Sequence, residues 1–263
     1  MFINIFRLKI GKADLKEFLD EKVDKYNTVD FIVDDPISIP HRYSLKEDIE
    51  IAGFLAATIA WGNRQMITKN GHRIMDLLGN SPFDYVMNHK VSHLDRLDGF
   101  VHRTFNSNDL RYFITALKHI YKHHGGLENI FIQHATNDSL QPAINNLRNI
   151  FFEIPHAERT TKHISDPLNG SAAKKINMFL RWMIRQDNNG VDFGIWKALQ
   201  PSQLSCPLDV HSGNVARKLG LLQLKQNNSK AVKELDINLR LLDERDPVKY
   251  DFALFGLGIF EKF

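Results

Sequence analysis

The residues most able to do chemistry lie in the run Pro207-Leu208-Asp209-Val210-His211-Ser212-Gly213-Asn214-Val215. Asp209 follows an apolar, proline-containing approach and opens an amphipathic segment carrying Val215 and Leu219. That order of residues puts its carboxylate at a helix N-cap, turned towards backbone N–H groups that lack a partner inside the helix. Capping by itself is a complete structural account of such an aspartate. Upstream, Gly170-Ser171-Ala172-Ala173-Lys174-Lys175 is a glycine-containing turn running into a helix start, where free N–H groups suit a phosphate. On that helix Lys174, Met178, Arg181 and Arg185 share one face, and Ile176, Leu180 and Met183 another. A cation such as Arg181 near a lysine favours the neutral, nucleophilic amine. The alternative is a pair of solvated lysines that touch phosphate. Asp251 and Phe255, spaced i,i+4, share a face of the last helix; they read equally as a first-turn charge and a core ring. Gly62-Asn63 breaks a long apolar helix, with Arg64 beside it. His119, His123 and His124 have a spacing that suits a metal. They stand with Lys118 and Lys122 at a helix C-terminus, without a carboxylate near in sequence, so cations complementing the helix dipole are the simpler reading and no metal is expected.

The elements that must position these groups are helices. Apolar residues recur with helical period, and alternating strand patterns are absent. Helices are expected at 13–25, from Ser44 as N-cap through Trp61, at 64–78, after Ser81-Pro82, at 107–123, 140–152, 171–185, 192–199, 210–219, 229–242 and 247–261. Residues 28–40 read as connection. The segment Ile51-Ala-Gly-Phe-Leu-Ala-Ala-Thr-Ile-Ala-Trp61 is apolar nearly all round, as a central buried helix is. The fold class is therefore all-α.

Composition narrows the function classes. The chain has 263 residues, 43% of them apolar, enough for one large domain or two lobes. Its single cysteine, Cys206, excludes a disulfide framework, a cysteine zinc knuckle and a cysteine-held iron–sulfur cluster within the chain, and fits a reducing cytoplasm. The charged start MFINIFRLKIGK is not an export signal, and no apolar run is long enough to span a membrane. A net charge of +3 permits nucleic-acid binding through a local patch without demanding it.

Taken together, PLDVHSGNVARKLGLL, the Gly170 hairpin with its lysines, the Asp251/Phe255 pair and the Asn63 break resemble, in the same order along the chain, the helix-hairpin-helix DNA glycosylases. The similarity covers roughly residues 45–80 and 165–263 and is nearest to the divergent archaeal-type 8-oxoguanine DNA glycosylases. The chain also resembles a bacterial domain-of-unknown-function family. Two departures are visible: a single glycine precedes the lysine pair, and Lys174 and Asp209 are 35 positions apart.

The resemblance implies two helical lobes with a DNA- and base-binding cleft between them, about 1–60 plus 200–263 and about 61–199, with the hairpin near 165–185. It implies excision of an oxidised purine such as 8-oxoguanine from double-stranded DNA, followed by AP-lyase cleavage. Asp209 becomes the catalytic carboxylate and Lys174 the Schiff-base nucleophile, with Lys175 as the open alternative. Asp251 and Phe255 would hold and stack on the flipped base. Asn63 would fill the gap it leaves, with Arg64 on the orphaned base or a phosphate, and Gly170, Ser171, Lys175 and Arg181 would contact DNA. No cofactor is implied, although a monovalent or divalent ion at the hairpin could bridge to phosphate. A cytoplasmic, nucleoid-associated monomer of bacterial type is expected. Two other functions fit the same residues: a non-catalytic nucleic-acid-binding protein on this fold, and a monofunctional glycosylase for alkylated bases.

Overall fold

Two apolar helices, each buried for most of its length, organise the chain. The computed structural model describes residues 11–263, so the expectation about the charged start lies largely outside the described residues. In α3 (Lys46–Thr58) every residue from Ile49 to Thr58 is buried, and in α9 (Lys174–Ile184) every residue from Ile176 to Ile184 is. A helix without a polar face must be surrounded by other elements. The two pack together, with Phe54 of α3 edge-on to Phe179 of α9 at 5.6 Å. Around them stand α4 (Arg64–Leu77), α5 (Pro82–Asn88), α6 (Ser107–His123), α7 (Leu127–His134) and α8 (Gln141–Phe151). With the short α2 (Asp30–Asp34) they enclose the larger of two hydrophobic cores. A two-stranded antiparallel ribbon, β1 (Val101–His102) and β2 (Phe105–Asn106), leads into α6.

The smaller core joins the first described helix to the C-terminal ones. Leu19 and Val23 of α1 (Lys12–Tyr26) pack with α10 (Val210–Lys218), α11 (Ser229–Leu242) and α12 (Tyr250–Ile259) around Val215, Leu235 and Leu257. The sequence reading placed residues up to about 60 with the C-terminal helices. The structure instead puts residues 37–60 in the larger core, because the all-round apolar surface of α3 needs α9 beside it. The all-α class holds. No helix among the described residues is long and apolar enough to cross a membrane.

Three local expectations are corrected. Residues 192–199 form no helix. They wrap the end of α9, where the N–H groups of Phe193 and Trp196 donate to the carbonyls of Trp182 and Met183 at 2.8 and 2.9 Å, satisfying acceptors the helix end leaves open. Gly194 permits the wrap: its φ is +54°, and a Cβ there would stand 2.4 Å from Gln186 Cβ. Ser44 is not the cap of α3; Leu45 holds that place without a side-chain bond, and Glu47 and Asp48 complement the helix dipole instead. The stretch 28–40 is more ordered than a connection, containing α2 and the 3-10 turn Pro36–Ser38 capped by Asp35.

A buried carboxylate locks the larger core. Glu50 of α3 accepts hydrogen bonds from Tyr121 Oη at 2.5 Å and Trp196 Nε1 at 2.7 Å, so one side chain joins α3, α6 and the wrap over α9.

Candidate functional site

A cleft of about 520 Å³ opens where the two cores meet. Trp61, Lys174, Lys175 and Met178 line one side, Pro207, Asp209, His211 and Phe255 the other, with buried Asp35, Arg181 and Asp251 at its base.

Asp209 is the N-cap of α10, as its sequence setting predicts. Its Oδ1 accepts from the N–H groups of His211 and Ser212 at 2.8 and 2.9 Å, while its own N–H donates to Ser212 Oγ at 2.9 Å. Capping occupies one oxygen and leaves the other for the cleft: Oδ2 stands 3.1 Å from Lys174 Nζ. Burial would raise this carboxyl, but the Lys174 charge and the Ser212 N–H outweigh it and hold the group below the usual aspartate range. It is an anion at neutral pH, immobilised by two backbone donors.

The two adjacent lysines have different surroundings. Lys174 reaches across the cleft to Asp209, with a third of its side chain exposed. Lys175 turns into the protein, where its Nζ donates to the carbonyls of Thr58 at 3.0 Å and His163 at 3.3 Å and lies 4.7 Å from the centre of the Trp61 ring. Burial, with the Lys174 charge next to it, lowers Lys175 to about 8. Lys175 braces the start of α9 against the end of α3; Lys174 is the lysine that faces the carboxylate.

Arg181 corrects the sequence reading. It is 3% exposed, donating from Nη1 to Asp251 Oδ2 at 2.5 Å and from Nε to Asp192 Oδ1 at 3.2 Å, with its guanidinium 4.3 Å from the Phe252 ring centre. Its charge is absorbed by carboxylates, and it is too deeply held to reach a DNA phosphate. The cation that lowers Lys175 is Lys174, not Arg181. Asp251, pushed up to about 6 by burial against the opposing pull of Arg181, also faces Cys206 Sγ at 3.8 Å.

Phe255 lines the cleft, half-buried, with Phe31 edge-on at 5.9 Å. Its exposed face is covered by Arg64, whose guanidinium carbon lies 5.2 Å from the ring centre and whose Nη2 donates to Asp35 Oδ2 at 3.4 Å. Asn63 lies outside this cleft. It caps α4, accepting from the Met66 N–H at 3.1 Å, and borders a neighbouring depression with Gln65, Lys69 and His72.

The hairpin is built as a rigid turn. Asp166 Oδ1 accepts from the N–H groups of Leu168 and Asn169 at 3.0 and 3.2 Å, and Gly170 turns the chain at φ +92°. The Gly170 carbonyl accepts from the Ser229 N–H at 3.0 Å, and Ser171 pairs with Asn228. Gly170 and Ser171 therefore stand beside the cleft, not in its lining. Ala173, at φ +46°, precedes α9, and no side chain caps the helix start.

Residues 35–260 match the family described as "Protein of unknown function (DUF2400)". The chain belongs to this family. No curated protein and no solved structure matches it. The DUF2400 region contains every residue lining the cleft except Phe31.

Sequence reasoning passed over Asp35, Trp61 and His211 as cleft residues. Asp35 had a usable signal, since an aspartate directly before a proline favours a capped turn. Its Oδ1 accepts from the Ile37 N–H at 3.1 Å, leaving Oδ2 for Arg64; burial raises its pKa against the backbone bond and the charges of Arg181, Arg64 and Lys174.

Proposed function

We propose that this DUF2400 protein is a DNA N-glycosylase with AP-lyase activity, acting on an oxidised purine such as 8-oxoguanine flipped out of duplex DNA. In this reading the two cores are the two lobes of a helix-hairpin-helix glycosylase. The observation that carries the proposal is the 3.1 Å approach of Lys174 Nζ to Asp209 Oδ2, in a cleft that also holds Asp251 and Phe255.

The arrangement suits the chemistry. As the C1′–N9 bond breaks, its electron pair leaves with the base and positive charge grows on the deoxyribose. A carboxylate already fixed by two N–H groups stabilises that charge without reorganising. Lys174, its proton passing to the departing base, attacks C1′ through its nitrogen lone pair, and the C1′=O4′ π pair returns to O4′. The C1′–O4′ bond then opens, O4′ taking a second proton from the nitrogen, and the protonated Schiff base so formed acidifies C2′–H; loss of that proton expels the 3′ phosphate. Phe255 offers a stacking face and Asp251 an acceptor for purine N1–H and the 2-amino group. For a base to stack, Arg64 leaves the Phe255 ring and becomes free for a phosphate or the orphaned base. The uncapped start of α9 supplies N–H groups to the DNA backbone.

Asp209→Asn tests the proposal. Asparagine keeps the cap, so duplex binding stays near wild type while excision of 8-oxoguanine falls about a hundredfold or more. Undiminished excision by the variant, or none by the wild type, would overturn it.

A further inference from the structure

The histidine cluster gains in three dimensions what it lacks in sequence. His119, on the last turns of α6, and His124, just beyond its end, both direct Nε2 at a single carboxylate oxygen, Glu153 Oε2, at 2.9 and 3.0 Å. Glu153 follows α8, so the acceptor comes from a segment about thirty positions further along the chain. One ligand atom from each of the three residues lies within 4.8 Å of the others.

We infer that His119, His124 and Glu153 form a binding site for a divalent transition-metal ion of the zinc type. Two imidazoles and a carboxylate are the donor set that such ions prefer. Two of the three ligand separations also agree, and the third lies within 4.8 Å. Ligands about 2.05 Å from a metal and separated by 90–109° lie roughly 2.9–3.4 Å apart, and the two N···O separations fall at the lower end of that range. An ion seated there replaces two hydrogen bonds with three coordinate bonds after small side-chain rotations. Histidines with 23% and 25% of their side chains exposed, and an exposed glutamate, leave room for water to complete the shell. The neighbouring Lys118 does not compete for Glu153, because its Nζ donates to the His89 carbonyl at 3.0 Å. Metal would staple the end of α6 to the exit of α8. None of these residues lines the cleft, so the inference is independent of the glycosylase proposal.

Titration calorimetry and thermal melting of the tag-free full chain with zinc chloride, in a non-chelating buffer, test it. One ion per chain is expected, with a rise in Tm. His124→Ala and the shape-conserving Glu153→Gln, each checked for unchanged circular dichroism, weaken binding at least about tenfold. His134→Ala, a histidine outside the cluster, leaves it unchanged. Absence of uptake by the wild type, or undiminished uptake in both cluster variants, would overturn the site.

Discussion

Replacing Arg181 by methionine removes the cation that holds the base of the cleft together, and the structure sets the size of the effect. Asp251 loses its 2.5 Å partner; Asp192 loses one of two, keeping Arg185 Nη1 at 3.1 Å. Breaking a buried pair from one side costs about 3–5 kcal/mol, because the remaining charge has no solvent to replace its partner. Unfolding entropy of about 2.1 cal/mol/K per residue over 263 residues converts that to a fall in Tm of roughly 5–9 °C. The deficit depends on pH with a definite sign. Asp251 sits at about 6 with Arg181 beside it, and rises further without it. Near pH 5 the Asp251 carboxyl is largely protonated in both proteins, so the deficit is smaller there, the lost Asp192 contact remaining, and grows between pH 5 and 8. Urea and thermal unfolding at the two ends of this range measure it. Arg181→Met combined with Asp251→Leu, which removes both charges, recovers more than half of the loss. A single-variant deficit below about 1 kcal/mol, or one that does not change with pH, would refute the claim that this pair is buried and mutually dependent.

Other expectations are as direct. Binding to lesion-free duplex weakens linearly on logarithmic axes as salt is added, reflecting counterion release by Lys174, Arg64 and their neighbours; a flat response in a fluorescence-anisotropy titration counts against DNA as the partner. Asp209→Ala, which deletes the cap of α10, lowers stability by about 1 kcal/mol, whereas Asp209→Asn leaves Tm nearly unchanged; equal melting of the two would remove the capping role. Burial raises Asp236 to about 6, above its unfolded value, so the folded chain holds that proton more tightly and loses roughly 2–3 kcal/mol as pH rises from 4 to beyond 6. Asp236→Asn therefore raises Tm at pH 7.5 but not at pH 4, and an equal change at both would be inconsistent with this titration.

Local signals carried the sequence reading furthest. Asp209 was legible as a cap because an apolar approach followed by an amphipathic run specifies a helix start within a few residues. The burial of α3 was legible because it lacks a polar face. What depended on distant partners was not. Arg181 read as a DNA contact and a cation near the lysines, since nothing local announces that Asp192 and Asp251, 11 and 70 positions away, will enclose it. Residues 192–199 carry apolar side chains at near-helical spacing, yet their backbone bonds go to the carbonyls closing α9. Glu153 was invisible as a partner for the histidines because α8 had first to be docked beside α6. Lys174 and Lys175 could not be ranked from sequence; one residue of helical rotation sends one amine to Asp209 and the other to the carbonyls of Thr58 and His163.

That divergence between neighbours supplies the most direct test of the proposed chemistry. Wild-type protein is incubated with a duplex containing 8-oxoguanine in the presence of sodium borohydride, which reduces a Schiff base to a stable amine. The account predicts a covalent protein–DNA adduct, its loss in Lys174→Gln, and its persistence in Lys175→Gln whenever that variant remains folded. Base release without any adduct would contradict the lyase step, and an adduct that survives in Lys174→Gln would contradict the assignment of Lys174 as its nucleophile.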